Sequence, residues 1–350
     1  MDLPLSPPLT PMLAKAVATV PDQDSVEGGL LYEPKWDGFR AIVFFDGESV
    51  ELGSRGSKML TRYFPELVEA LVKQLPHPCV LDGEIVLRTG AEGDEHLDWE
   101  ALSQRIHPAA SRVGILAQQT PASFVAFDLL ADEAESLVDQ PFSVRRARLE
   151  SLLAGTRAPL HLTRTTTDAA VARDWLERFE GAGLDGVVAK PLASAYAPGK
   201  RVMLKTKHAR TADVVLLGYR VHTSGTGVGS LLLGLHTADG ELLPVGGASA
   251  FTDARRRELI GELAPIVLRD EHGEPLRGER ERTRFSGTKD TSFVPLDPVR
   301  VLEVKYDQME GLRFRHSAQF LRWRPDRDAA SCGFDQLERP AAYDLDEVLG

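Results

Sequence analysis

The residue with the clearest chemical potential is Lys35, set in Glu33-Pro34-Lys35-Trp36-Asp37-Gly38-Phe39-Arg40 directly after the apolar stretch Leu30-Leu31-Tyr32. A lysine at the end of a short strand, followed by an Asp-Gly turn and the apolar run Ala41-Ile42-Val43-Phe44-Phe45, is expected on a rigid edge from which its amine can be aimed. An ordinary lysine has a pKa of about 10.4, so only roughly one in a thousand is the neutral nucleophile at pH 7.4. A bound metal ion or neighbouring lysines favour the neutral form. The rest of the chain offers both kinds of group, carboxylates that can hold a metal ion and further lysines.

Composition sets the frame for these residues. A chain of 350 residues with 43% hydrophobic content can bury a sizeable core and is expected to divide into two domains. Its start has acid and prolines where a signal peptide would have a basic and then an apolar region, and no later stretch approaches about 18 uninterrupted apolar residues. A cytoplasmic protein without membrane contact is the expectation. Cys79 and Cys332 are the only cysteines, too few for a disulfide framework or a four-cysteine zinc site. A net charge of -11 argues against a generic nucleic-acid binder, so any DNA surface must be a local basic track. Candidates are Lys200-Arg201, Lys205, Lys207 and Arg210, with Arg313, Arg315, Arg322, Arg324 and Arg327.

The positioning elements follow from pattern. Residues 65–75 carry Leu67, Val68, Leu71 and Val72 at helical spacing, and further helices are expected over 99–106, 143–153 and 169–180. Residues 79–87 repeat the strand, Asp-Gly turn, strand layout seen around Lys35; 123–130 read as a buried strand, 183–190 as another. Residues 203–207 form a short strand on which Lys205 and Lys207 share a face. Near His208 the pattern changes to short strands at 214–219, 230–235, 242–245, 299–304 and 311–314, with one helix over 253–263. Five strands and one inserted helix fit an OB-type barrel. Gly225-Thr226-Gly227-Val228-Gly229-Ser230 lacks the lysine of a phosphate-binding loop and is expected to be a hairpin loop. With no such loop elsewhere and no His-Glu-x-x-His, nucleotide binding needs another route.

That route is suggested by six segments in order: Lys35-Trp36-Asp37-Gly38-Phe39-Arg40, Ser54-Arg55-Gly56, Leu81-Asp82-Gly83-Glu84, Phe124-Val125-Ala126-Phe127-Asp128, Asp185-Gly186-Val187-Val188-Ala189-Lys190 and Leu204-Lys205-Thr206-Lys207. The series resembles the collinear motifs of the covalent nucleotidyltransferases, which comprise ATP-dependent DNA ligases, RNA ligases and mRNA capping enzymes. Leu321-Arg322-Trp323-Arg324-Pro325-Asp326-Arg327 further resembles the Arg-x-Asp-Lys element that ends ligase OB domains, with Arg327 in place of Lys. Length and the lack of a cysteine zinc cluster or extra enzymatic segment make the chain similar to the small stand-alone bacterial C-type ligases.

The resemblance implies an α+β fold in two domains: a nucleotidyltransferase domain of ATP-grasp-like antiparallel sheets with flanking helices over 1–209, then an OB-fold β-barrel over 210–330. An acidic extension, 331–350, would follow. It implies that Lys35 takes AMP from ATP, with Asp37, Lys205 and Lys207 in the catalytic set. Glu33, Arg40, Arg55, Glu84, Phe127, Lys190, Arg201, Arg324 and Arg327 would contact the nucleotide, Phe127 by stacking on the purine and Glu33 by choosing adenine. Glu84 and Asp185 would hold Mg²⁺ or Mn²⁺, Asp185 standing where the family more often has Glu. The implied activity is ATP-dependent sealing of 5′-phosphate/3′-hydroxyl nicks in nicked or gapped duplex DNA by a monomer, in repair. Two alternatives stay open: an RNA ligase or capping-type nucleotidyltransferase, and a non-catalytic DNA-binding module.

Overall fold

The computed structural model describes residues 2–56, 58–91, 93–279, 291–338 and 340–349. The chain forms two compact units, Met1–Lys207 together with Pro340–Gly350, and His208–Arg339.

The first unit is built on two sheets. One has the order β1 (Leu13–Val17), β11 (Arg201–Thr206), β10 (Val187–Pro191), β2 (Leu30–Pro34), with β1 parallel to β11 and the rest antiparallel. The other has the order β4 (Val50–Ser54), β3 (Phe39–Phe45), β5 (Cys79–Thr89), β7 (Ala122–Asp132), β8 (Glu135–Ser136), with β6 (His96–Leu97) on β5 and β9 (Leu160–Leu162) on β7. Side chains alternate across a pleated sheet. In β3 and β5, Ala41, Val43, Phe45, Leu81, Ile85 and Leu87 therefore face a core closed by α1 (Pro65–Gln74) and α4 (Phe142–Leu153). Ile42, Phe44, Val80 and Val86 face the other way, packing with Leu30, Tyr32 and Met203 of the opposing sheet. The same parity carries Arg40, Asp82 and Glu84 into the space between the sheets.

The helices are set by local chemistry. Pro65 opens α1, Glu66 lies in its first turn, and Leu67 and Leu71, one turn apart, are buried. After α2 (Trp99–Gln104) and α3 (Ala110–Gln119), the second of which the periodicity did not announce, α4 brings a fully buried guanidinium. Arg145 bonds both oxygens of Asp128 on β7 at 2.8 and 3.0 Å and the carbonyls of Gln140 and Ser194. Breaking such a pair by removing one partner costs about 3–5 kcal/mol. α5 (Ala169–Arg178) is capped by Asp168, which accepts from the Ala170 N–H at 2.7 Å.

Two expected hairpin turns are absent. β2 and β3 belong to different sheets, so Lys35-Trp36-Asp37-Gly38 is a crossover between them. A Cβ on Gly38 would lie 2.0 Å from the Ile85 carbonyl oxygen, so the crossing backbone needs glycine. Asp82-Gly83 lies inside the continuous strand β5, at a register shift against β7, where a Cβ on Gly83 would lie 2.3 Å from the Phe124 ring. Both glycines serve close packing of chain on chain.

The second unit is an OB fold. β12 (Arg210–Val221), β13 (Val228–His236) and β14 (Leu242–Ala248) form a meander; the β12–β13 hairpin loop spans 222–227, so of the loop expected over 225–230 the residues Val228, Gly229 and Ser230 belong to β13. β17 (Val301–Tyr306) pairs with β12, and β20 (Gln319–Trp323) with β17; a bridge from Ala248 to Ala318 closes the sheet on itself. β16 (Ser292–Pro295) adds to β12 and carries β15 (Gly278–Glu279). α6 (Asp253–Leu263), capped by Thr252, buries Leu259 and Leu263 against this barrel. The fifth barrel strand is β20. Residues 311–314, expected in that role, make only the short hairpin of β18 (Met309–Glu310) with β19 (Arg313–Phe314), because Gly311 turns the chain back at once with φ of 57°.

The chain then returns to the first unit. Leu345 and Val348 of α7 (Leu345–Leu349) are fully buried beside Trp175 and Phe179, and Tyr343 packs on Phe179 at 5.2 Å. Asp346 pairs with Arg88, and the Leu345 N–H donates to the Glu95 carbonyl at 2.9 Å.

Candidate active site

Lys35 stands one residue beyond β2 and is still held by the sheet. Its N–H donates to the Gly186 carbonyl at 2.8 Å, and its carbonyl accepts from the Asp185 N–H at 2.9 Å. These bonds extend the β2–β10 ladder past its Pro34–Val187 rung. They set Asp185 beside the lysine, with Nζ 2.5 Å from Oδ2. Lys207 reaches the same oxygen at 2.9 Å. Burial works to raise the Asp185 carboxyl, but Lys35 and Lys207 together hold it below the usual carboxylate range. Lys205 is lowered from its ordinary value by burial and then by the charges of Lys35 and Lys207.

Across the gap, Glu84 is the cross-strand neighbour of Arg40. Burial pushes its carboxyl up to about 7 despite the nearby Arg40 and Lys35 charges and a hydrogen bond from the Gly38 N–H. Glu33, 3% exposed, pairs through Oε2 with Lys190 Nζ at 2.7 Å, and Lys190 also donates to the Phe127 carbonyl at 2.9 Å. Burial raises Glu33 and lowers Lys190, so the surroundings oppose both charges and the contact between them offsets that cost. Glu33 Oε1 is buried and has no hydrogen-bond partner among the described residues. It is an unused acceptor in the wall of a cavity.

That cavity has a volume of about 260 Å³, near the lower end of small-molecule sites, which begin at roughly 300 Å³. Nine of the residues singled out from the sequence line it: Glu33, Lys35, Arg40, Glu84, Phe127 and Lys190, with Arg55, Arg201 and Lys205. Phe127 presents its ring with the Arg40 guanidinium and the Lys190 amine each 4.6 Å from the centroid. Asp185 and Lys207 are joined to the cavity through Lys35. Asp37, half-buried, follows Lys35 in the crossover but does not line the cavity. Arg324 and Arg327 lie in the second unit, where Arg324 Nη1 reaches both oxygens of Asp213 at 2.9 Å while Nε and Nη2 donate to Asp326, and Arg327 pairs with Asp213 at 3.6 Å.

Several wall residues carried no signal in the sequence. Met12, Leu13 and Ala14 reach the cavity because β1 runs parallel to β11, a long-range pairing that local periodicity does not announce. Trp36 lines it too, its indole N–H fixed on Thr163 Oγ1 at 2.8 Å. Behind the wall, Asp82 accepts from Arg40 and from the Tyr196 hydroxyl.

A lysine held against a carboxylate in a cationic cleft of a two-sheet unit, in a chain that also carries an OB barrel, defines the nucleotidyltransferase–OB class of enzyme. Residues 11–207 match the family model for the ATP dependent DNA ligase domain and residues 224–327 the model for the ATP dependent DNA ligase C terminal region. The chain belongs to the family of ATP-dependent DNA ligases. It is similar to DNA ligase C of Mycobacterium tuberculosis, with 54% identity covering 100% of this chain and 99% of the relative. DNA ligase C2 of Mycolicibacterium smegmatis is 55% identical, with 97% of each chain covered. A solved structure from work on DNA binding by Lig E DNA ligases with a minimal scaffold shares the fold, with a TM-score of 0.56 at 18% identity over 89% of this chain and 99% of that one. Family membership establishes ATP as co-substrate, DNA as substrate and adenylation as the intermediate chemistry. Among the described residues no helix is long and apolar enough to cross a membrane.

Proposed function

We propose that this ligase seals 5′-phosphate/3′-hydroxyl nicks through AMP carried on Lys35. The observation that carries the assignment is the Lys35–Asp185 pair at 2.5 Å on the wall of a cavity lined by Arg40, Arg55, Lys190, Arg201 and Lys205. Unprotonated Lys35 Nζ attacks the α-phosphorus of ATP; a P–N bond forms, the bond to the bridging oxygen breaks, and pyrophosphate leaves. The surrounding cations stabilise the charge that develops on the phosphoryl oxygens. AMP then passes to the 5′-phosphate of the nick, and the 3′-hydroxyl displaces it to complete the phosphodiester.

Within the cavity, Phe127 offers a face to the purine, and Glu33 Oε1 is a free acceptor for an exocyclic amine. Arg40, Arg55 and Arg201 suit ribose or phosphate oxygens through their planar forks. Arg324 and Arg327 are assigned to the leaving pyrophosphate. Glu84 and Asp185 are hard oxygen donors that fit Mg²⁺ or Mn²⁺, which would neutralise phosphate charge. Action as a monomer in the cytoplasm, in repair of nicked or gapped DNA, completes the reading.

The test is sealing of a nicked duplex with ATP and Mg²⁺, alongside protein labelling from α-labelled ATP and GTP. Sealing with an ATP-derived adduct is expected; an adduct formed from GTP alone contradicts the reading.

A further inference from the structure

Tyr196 lies in the loop between β10 and β11, 4% exposed, its ring packed in the cluster of Met12, Ile42, Phe44 and Met203. Its hydroxyl works in both directions, donating to Asp82 Oδ2 at 2.7 Å and accepting from the Met12 N–H at 3.0 Å. Asp82 has no exposed surface, and its two oxygens accept from Arg40 Nε at 2.6 Å and Nη2 at 2.5 Å. Arg40 Nη2 in turn reaches the Met12 carbonyl at 3.3 Å. The four residues close a ring of hydrogen bonds, and two of them, Met12 and Arg40, face the cavity.

A buried carboxylate tolerates its charge only when its lone pairs are met, and here the phenol supplies the donor that the guanidinium does not. Burial and the Asp82 charge push the Tyr196 hydroxyl well above its ordinary pKa, so it stays a donor throughout the working range. With Nε and Nη2 committed, Arg40 Nη1 is the nitrogen of that fork for which the structure gives no partner among the described residues.

We propose that Tyr196 is a positioning residue for the nucleotide: one hydroxyl locks the β1 edge and the Arg40 guanidinium into a single arrangement that presents Nη1 to a ribose or phosphate oxygen. This rests on the ATP reading above. Like that reading, it takes Lys35 to be the residue that carries AMP.

The full-length chain with Lys35→Ala, which cannot turn ATP over, allows ATP affinity to be measured by titration calorimetry. Adding Tyr196→Phe keeps the ring and removes the hydroxyl, and Kd for ATP is expected to rise about tenfold. With Arg40→Lys also present, which breaks the two-point hold on Asp82, the same substitution should change Kd by less than about threefold. In the enzyme with Lys35 restored, Tyr196→Phe should raise KM for ATP in adduct formation while leaving the limiting rate nearly unchanged. A purely structural tyrosine would lower the melting temperature and leave Kd alike in both Arg40 backgrounds, and that result overturns the proposal. Should the phenylalanine variant not fold, Asp82→Asn is expected to raise Kd similarly, and an unchanged Kd there overturns it as well. Failure of the Lys35→Ala parent to bind ATP would instead remove the nucleotide reading, and this inference with it.

Discussion

Lys35 and Asp185, 150 residues apart in the chain, meet at 2.5 Å because the backbones that carry them are hydrogen-bonded to each other in both directions. The pairing is a property of the β2–β10 ladder, and the side chains inherit it. Lys207 shares the same oxygen, so one carboxylate balances two amines.

Asp185→Asn keeps the shape and removes that shared charge. The rate of adduct formation in a single turnover is expected to fall roughly 10- to 100-fold, the range seen when a group that orients a reactive centre is lost. Asp185→Glu, which restores the charge on a longer arm, should recover part of it. An unchanged rate in the asparagine variant contradicts the role given to the pair.

Glu84 gives the site a pH signature. Its folded pKa of about 7 lies above the ordinary 4.5, so between those values the folded chain keeps a proton that the unfolded chain has lost. Stability therefore falls as pH rises through this window. In the presence of a chelator, the wild type is expected to lose up to about 3 kcal/mol more than Glu84→Gln between pH 4 and pH 8. Denaturant titrations at the two pH values check this; parallel losses in both proteins contradict it.

The returning C-terminal segment is a structural part of the first unit. Leu345→Ala, at a fully buried position, is expected to destabilise it by about 2–5 kcal/mol. Gly181→Ala places a Cβ 1.8 Å from the Ala341 carbonyl oxygen and should displace the segment without touching its apolar anchors. Hydrogen exchange over 341–349 reads both, and full protection in the two variants would contradict this packing.

Much of this site was legible in residue order, because the chemistry requires particular side chains and the ladder pairs them at set positions. Helix periodicity located α1 through Leu67 and Leu71, and the helix expected over 253–263 is α6. The Asp-Gly pairs misled: Gly38 and Gly83 read as turns, since a glycine demanded by a neighbouring carbonyl or ring looks the same in sequence as one demanded by a hairpin. Lys205 and Lys207 were expected on one face of a strand; Lys205 lines the cavity, whereas Lys207, just past the end of β11, meets Asp185. The ring through Tyr196 joins residues up to 184 positions apart and the parallel β1 edge pairs Ala14 with Met203, both beyond any local pattern. The acidic tail gave no sign of docking because its anchors, Leu345 and Val348, are two apolar residues among charges.

The central claim is that the Lys35 amine carries the AMP. Full-length protein incubated with α-labelled ATP and a divalent cation, then digested and mapped by mass spectrometry, should carry one adenylyl group on the peptide containing Lys35, and Lys35→Ala, folded by circular dichroism, should carry none. Label mapping to another residue, or retained in the alanine variant, would contradict the account.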